Sequence, residues 1–302
     1  MAATIWEIFG YRADDRSVRA LDAAQSRQCP YLNEPCEKRL SDKAASGVCS
    51  IKPVTSEPVI CCPVRLYAGD YQVLRDVADM AFGPGHLLVA GPSAVASARQ
   101  SATPVVAVFG KRWGKELRLP QKDGVGGYFV DWVLALLDAQ GELQEFVAVE
   151  VQTIDTTGNY REGRLGLLSP ERLNPKTSAG LNWENVSKRI LPQLIYKGQV
   201  LQREALCRKG LFFVCPAPVH ERVMARLGGE AGLIRYALQP ASITFLAYEH
   251  DSGAGFVDGE AVPLKRCPPH STTVYKVQEA FNNVTLPDEN VYQDAIQVAL
   301  GG

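Results

Sequence analysis

No apolar run in this 302-residue chain approaches the ~18–20 residues needed to cross a bilayer, which excludes a helical membrane protein. A mean hydropathy of −0.09 agrees. Met1 to Gly10 carry Trp6, Glu7 and Phe9 but no basic segment ahead of an apolar one, so no secretory signal is visible and a cytoplasmic protein is expected. Histidine is scarce: His86, His220, His250 and His270 stand far apart and form no H-x-x-x-H pair. A G-x-S-x-G nucleophile elbow is absent, and Gly110-Lys111-Arg112-Trp113-Gly114-Lys115 lacks the spacing of a phosphate-binding loop. Gly124, Gly126 and Gly127 precede a strand and start no helix, so they read as a flexible entry to that strand. Internal repeats and low-complexity tracts are also missing. Nor is there a cationic excess: 32 Lys and Arg meet 33 Asp and Glu, for a net charge of −1. A protein that lives by non-specific phosphate attraction is usually basic, so any nucleic-acid binding here needs its cations gathered on one face.

What is present supports a real core, since 46% of residues are hydrophobic, enough for one large domain or two unequal ones. The eight cysteines are unevenly spread: Cys29, Cys36, Cys49, Cys61 and Cys62 crowd the first quarter, and Cys207, Cys215 and Cys267 are scattered. Without a secretory signal, a disulfide framework is not expected. Cys29, Cys36, Cys49 and Cys62 have the pattern C-x₆-C-x₁₂-C-x₁₂-C, with Cys61 competing for the fourth place. From Cys29 to Val54 the chain is rich in Pro, Ser, Asp and Lys and poor in apolar periodicity, so a bound metal would supply what a core does not. Four thiolates suit a tetrahedral zinc or iron ion; buried free cysteines are the alternative. The expected organisation is a metal-binding lobe over residues 1–69 and a main domain over 70–302, together α/β, with a mixed sheet flanked by helices.

Along the chain, Ser17 to Gln25 are compatible with a helix. Asp70 offers an N-cap to another, in which Val73, Val77, Met80 and Ala81 share a face, and Gly83 closes it. Val105 to Phe109 predict a buried strand. A helix from about Trp183 to Lys197 should kink at Pro192. Leu211 to Cys215 and Ile243 to Tyr248 predict strands, with a helix at Val219 to Leu227 between them.

The informative segment is a hairpin of Val130 to Asp138 and Leu143 to Thr153. A turn centred on Gln140 and Gly141 sets Asp131 opposite Glu150, with β-carbons roughly 4.5–5.5 Å apart. Gln152, two residues on, projects from the same face as Glu150. A slip of one residue would destroy the pairing. These groups could be solubility charges at a sheet edge, a structural ion pair or a capped strand end. Against edge charges, both faces of the hairpin are apolar: Val133, Ala135, Phe146 and Ala148 on one, Trp132, Leu134, Leu136, Val147 and Val149 on the other. Strands buried on both faces rarely carry a carboxylate without a partner or a metal. Two close carboxylates repel unless a cation sits between them or one is protonated, and an all-oxygen site suits Mg²⁺ or Mn²⁺. Glu116 is a further acidic candidate.

Asp131, the hairpin and Glu150-Val151-Gln152 resemble the PD-(D/E)XK nuclease core, with Gln152 standing where Lys is usual. The longer string Glu150 to Asp155, followed by Gly158-Asn159-Tyr160, resembles the NotI-type restriction endonucleases, which share that Gln. So do Trp113 to Leu117, Asp131-Trp132, Cys29-Pro30, Gly47-Val48-Cys49, Cys62-Pro63, Leu181-Asn182 and Lys188-Arg189. The resemblance implies Glu116, Asp131, Glu150 and Gln152 as the catalytic set, with Mg²⁺ on Asp131 and Glu150. It also implies a structural iron (or zinc) on Cys29, Cys36, Cys49 and Cys62, favouring Cys62 over Cys61. Gln152 cannot act as a base and would position groups by hydrogen bonds. Lys111, Arg112, Lys188, Arg189, Gln193 and Lys197 are candidate DNA contacts, though a solvated helix face explains any one of them as well. The function so implied is hydrolysis of both strands of double-stranded DNA at a GC-rich palindrome by a homodimer. A metal-stabilised DNA binder without catalysis, or a repair nuclease on the same core, are the alternatives.

Overall fold

The computed structural model describes residues 2–117, 129–283 and 288–301; Gly124, Gly126 and Gly127 lie outside them. The chain opens with β1 (Ala3–Ile8), β2 (Tyr11–Arg12), α1 (Val18–Ser26), the short pair β3 (Gln28–Cys29) and β4 (Glu34–Pro35), then β5 (Val48–Pro53) and β6 (Val59–Ile60). Next come α2 (Ala68–Phe82), β7 (Leu87–Ala90), α3 (Gly91–Ser101), β8 (Val105–Gly110), and the hairpin β9 (Trp132–Leu137) and β10 (Leu143–Val151). Beyond it lie β11 (Thr156–Thr157), α4 (Arg161–Leu168), β12 (Gly180–Leu181), α5 (Leu191–Leu201), β13 (Leu211–Pro216), α6 (Ala217–Arg226) and α7 (Gly229–Gly232). The chain finishes with β14 (Ser242–His250), β15 (Leu264–Arg266), β16 (His270–Thr273), α8 (Val274–Asn282) and α9 (Val291–Ala299).

The main sheet runs β15-β14-β13-β10-β9-β8-β7, with β16 also on β14. It is mixed: β10, β13 and β14 are mutually parallel, as are β7 and β8, and β9 runs antiparallel between β8 and β10. This is the expected mixed sheet flanked by helices. As the hairpin's pattern required, both faces are covered. Trp132, Leu134, Val147 and Val149 pack with Val73, Leu74 and Val77 of α2 on one face. Ala148, Leu211 and Phe213 pack with Leu191 and Leu194 of α5 on the other.

The hairpin reaches its expected register by an unexpected route. A tight two-residue turn would pair Leu137 with Gln144; instead Leu137 pairs with Leu143, and a bulge before Glu145 restores the count. Ala148 then faces Val133 and Val149 faces Trp132. Gly141, with φ of 81°, permits the wider turn, in which its N–H donates to the Asp138 carbonyl.

Pro192 interrupts the regular helix as expected: the helical run from Glu184 passes through a π-turn at Val186–Ile190, in which the Leu191 N–H donates to the Val186 carbonyl, and continues as α5. Two expectations need correction. Asp70 does not cap α2: Gly69, Asp70 and Tyr71 form a left-handed turn at its start, and the Asp70 carboxylate pairs with Arg75 at 2.6 Å. Nor is the stretch from Cys29 to Val54 without a core. Within it β5 is a middle strand of the sheet β2-β1-β5-β6, and Val48, Ser50 and Ile51 are almost fully buried. Its partners come from elsewhere: Ala3, Ile5 and Ile8 of β1 share one core with Ala148 and Leu211 of the main sheet. Local periodicity cannot reveal a core assembled from distant segments.

Candidate active site

Because β9 runs antiparallel to β10, the start of β9 lies beside the end of β10. Asp131, immediately before β9, sits at the rim and accepts a hydrogen bond from the Val151 amide at 2.8 Å. Glu150 lies below it and is 8% exposed. Glu150 alternates with Val149, so it points to the sheet face that α5 covers. There Lys197 of α5 meets it, Nζ to Oε1 2.6 Å. The second oxygen, Oε2, is buried and has no hydrogen-bond partner.

The electrostatics follow from this crowding. Burial pushes the Glu150 pKa up to about 7, and the negative charge of Asp131 pushes the same way, while Lys197 opposes both. Asp131 is raised as well, first by loss of hydration; Glu116 adds repulsion, and the Val151 amide and Lys197 oppose it. Glu116 is thus near enough to be felt, though it lies exposed on the loop after β8. Two carboxylates whose ionised forms are both disfavoured, one with an orphan buried oxygen, are chemically suited to a cation.

Other predicted residues fall nearby with different attachments. Gln152 follows the end of β10, half-buried, and its backbone amide bonds the Val214 carbonyl at 3.0 Å. Arg112 is clamped by Glu34 at 2.8 Å and Glu37 at 2.7 Å, and Lys111 approaches Glu37 at 3.4 Å, tying the β8 loop to the cysteine segment. Lys188 pairs with Glu184, and Arg189 reaches Asp155 at 3.1 Å. Gln193 is exposed on α5. Lys197 therefore differs from the other cations of its segment: it points into the carboxylate site and is only 13% exposed.

Sequence reasoning overlooked the aromatic wall. Tyr67 stacks on Tyr71 and accepts a hydrogen bond from Trp132 Nε1 at 3.1 Å, while Trp113 leans on Tyr71. Burial raises the Tyr67 pKa, and the nearby charges of Asp131 and Glu150 add to it. In the sequence, the Asp131-Trp132 pair and the Trp113 to Leu117 string touched on this wall without revealing Tyr67 or Tyr71. A separate cavity of about 870 Å³, lined by Trp6, Trp183, Arg222 and His250 among others, includes neither carboxylate. The carboxylates stand instead at the ends of two interior strands, where the start of β9 meets the end of β10.

The cysteines divide by alternation along the chain. Cys29, Cys36, Cys49 and Cys62 all line one small cavity of about 20 Å³. Cys61 points the other way into the core, where Lys38 Nζ meets its carbonyl at 2.9 Å and its sulfur at 3.5 Å. All eight cysteines are free. Burial raises the thiol pKa of Cys29, Cys49 and Cys62, the last to about 12. Among the described residues no group of three or more His, Cys, Asp or Glu side chains is arranged as a metal-holding cluster. Four cysteines lining a single cavity are nonetheless a set of residues whose thiolates would suit a thiophilic metal.

Comparison with protein families gives this arrangement its class: the chain is a type II restriction endonuclease, an enzyme that cleaves DNA. The matching family model, Restriction endonuclease NotI, spans residues 15–209 of the 302, and the chain belongs to that family. No curated protein matches it. The match takes in the four cavity-lining cysteines, Glu116, Asp131, Glu150, Gln152 and Lys197, and stops before β13. Membership in an enzyme family decides against the non-catalytic DNA binder. No helix among the described residues is long and apolar enough to cross a membrane.

Proposed function

We propose that the protein hydrolyses both strands of double-stranded DNA at a GC-rich palindrome, with Mg²⁺ held by Asp131 and Glu150, and acts as a homodimer. The observation that carries this reading is the Asp131–Glu150 pair with its unpartnered Glu150 Oε2. Enzymes of this class generally need a divalent metal. Bound here, Mg²⁺ would supply Lewis-acid polarisation of the phosphodiester. The protein's own part is positional. The Val151 amide fixes Asp131, the helix α5 fixes Glu150 through Lys197, and Gln152 would orient a water or a phosphate by hydrogen bonds. Glu116 adds negative charge at the rim.

The four cavity-lining cysteines are proposed to hold a structural iron or zinc ion without a redox role. It would brace the lobe of residues 1–69 against the main domain of 70–302, through the Glu34 and Glu37 contacts to Arg112 and Lys111. Lys188, Arg189 and Gln193 remain proposed DNA contacts, since their exposure leaves them able to exchange protein partners for phosphates. A homodimer matches the two-fold symmetry of a palindrome cut on both strands.

The test is digestion of a fully sequenced phage DNA with Mg²⁺ and with EDTA, followed by end sequencing. Discrete Mg²⁺-dependent fragments sharing one palindrome at their ends are expected. Cutting that follows damaged or branched DNA and ignores sequence would favour the repair nuclease.

A further inference from the structure

The strand that carries Glu150 is followed by a neutral amide, Gln152, yet the carboxylate site does contain a cation. Lys197 reaches it from α5, on the sheet face toward which Glu150 points, with its ammonium 2.6 Å from Glu150 Oε1. Its approach is fixed by the helix itself. Leu191 and Leu194 are buried against the sheet, and Gly198, next to Lys197, lies so close to α8 that a β-carbon there would meet Val274 Cγ2 at 2.9 Å. The other cations of this segment are engaged elsewhere, Lys188 by Glu184 and Arg189 by Asp155. An ammonium has three donors, so holding Glu150 leaves capacity for a second acceptor.

We propose that Lys197 is a catalytic residue of DNA cleavage, donating from its ammonium to a non-bridging oxygen of the scissile phosphate while it holds Glu150. The inference rests on reading Asp131 and Glu150 as the cutting centre. In the reaction a water oxygen bonds to phosphorus and the bond from phosphorus to the leaving sugar oxygen breaks. The water's proton passes to a phosphate oxygen, and the sugar oxygen takes a proton from solvent. Negative charge grows on the non-bridging oxygens as the water adds. Lys197 stabilises that charge, a part the uncharged Gln152 cannot play. A purely structural ion pair would need no particular position for the ammonium relative to the phosphate; a catalytic one should tolerate relocation to the strand.

The test compares wild type with Lys197→Met, Lys197→Gln (which keeps a polar side chain if Met misfolds) and the double variant Gln152→Lys/Lys197→Met. Three quantities are read: single-turnover cleavage of bound DNA in Mg²⁺, DNA affinity in Ca²⁺, and melting temperature. Both single variants should cut about 100-fold more slowly, with DNA affinity within about threefold of wild type. The double variant should recover at least about tenfold of the loss. Single variants that cut within about threefold of wild type, or that lose DNA affinity in step with cutting, would overturn the proposal. So would a double variant no faster than Lys197→Met. A wild type that cuts nothing in Mg²⁺ would overturn the reading of the carboxylate centre, and this inference with it.

Discussion

Glu7 shows most directly how single residues hold this protein together. It is fully buried, takes Arg65 Nη2 at 3.0 Å, the Ser50 hydroxyl at 2.8 Å and His250 Nε2 at 3.0 Å, and Arg65 is itself fully buried over the Tyr31 ring. Burial alone would raise the Glu7 pKa; the Arg65 charge and the His250 contact outweigh it and bring the value from 4.5 down to about 2. A depressed carboxylate stabilises the fold above its unfolded pKa and ceases to do so as pH falls through the folded one. Glu7→Gln should therefore cost ~3 kcal/mol near neutral pH, and the gap from wild type should shrink between pH 4.5 and about 2. Urea titrations of both proteins at neutral and acid pH check this. A gap that stays constant with pH would mean that packing, and not charge, is what Glu7 contributes. Removing only the other partner, by Arg65→Met, leaves a buried uncompensated carboxylate and should lower stability by ~3–5 kcal/mol in the same titrations. At the proposed cutting centre, Glu150→Gln should reduce cleavage by at least about 100-fold while DNA affinity in Ca²⁺ holds, if the group acts on the reaction and not on docking.

At the scale of elements, two pieces decide how the site is built. The first is α5. Gly198→Val would press a β-carbon into Val274, at a cost of about 1–3 kcal/mol. Because the displaced turn carries Lys197, cleavage should slow by more than the stability loss explains; single-turnover rates beside urea midpoints separate the two. The second is the cysteine segment. Elemental analysis of pure protein should find one iron or zinc per chain, and Cys49→Ser should lose it and melt at a lower temperature; wild type free of both metals would rule the site out. The hairpin β9–β10 was the most legible element. Alternation along both strands buries one set of side chains on each face, and Asp131 and Glu150 come together because the wider turn and the bulge offset one another. The bulge before Glu145 was invisible because turn length and bulge compensate without altering the pattern beyond them. The left-handed turn at Gly69–Tyr71 was equally hidden, since Asp70 before an apolar helix has the composition of an ordinary cap.

For the whole molecule, the proposed two-fold action on a palindrome sets a measurable expectation. Sedimentation equilibrium should give twice the mass of the 32.9 kDa chain, and a stable monomer that still cuts both strands at once would contradict it. Ile5 and Ile51 from the amino-terminal sheet share a core with Phe213 and Ile243 of the main sheet.

By itself the sequence determined what depends on nearest neighbours and short periods. That comprises the strand alternation, the helix near Ser17 to Gln25, the carboxylate pairing across one hairpin, and the grouping of cysteines in one segment. Only the tertiary structure decided which groups from distant segments meet. It turned Cys61 into the core and Cys62 into the cavity, gave β5 its burial, and clamped Arg112 between Glu34 and Glu37. Above all it placed Lys197 on Glu150, and the physical reason is simple. A contact between a strand and a helix far along the chain depends on which sheet face the helix covers and on the π-helical turn before it, and neither leaves a local mark on the residues.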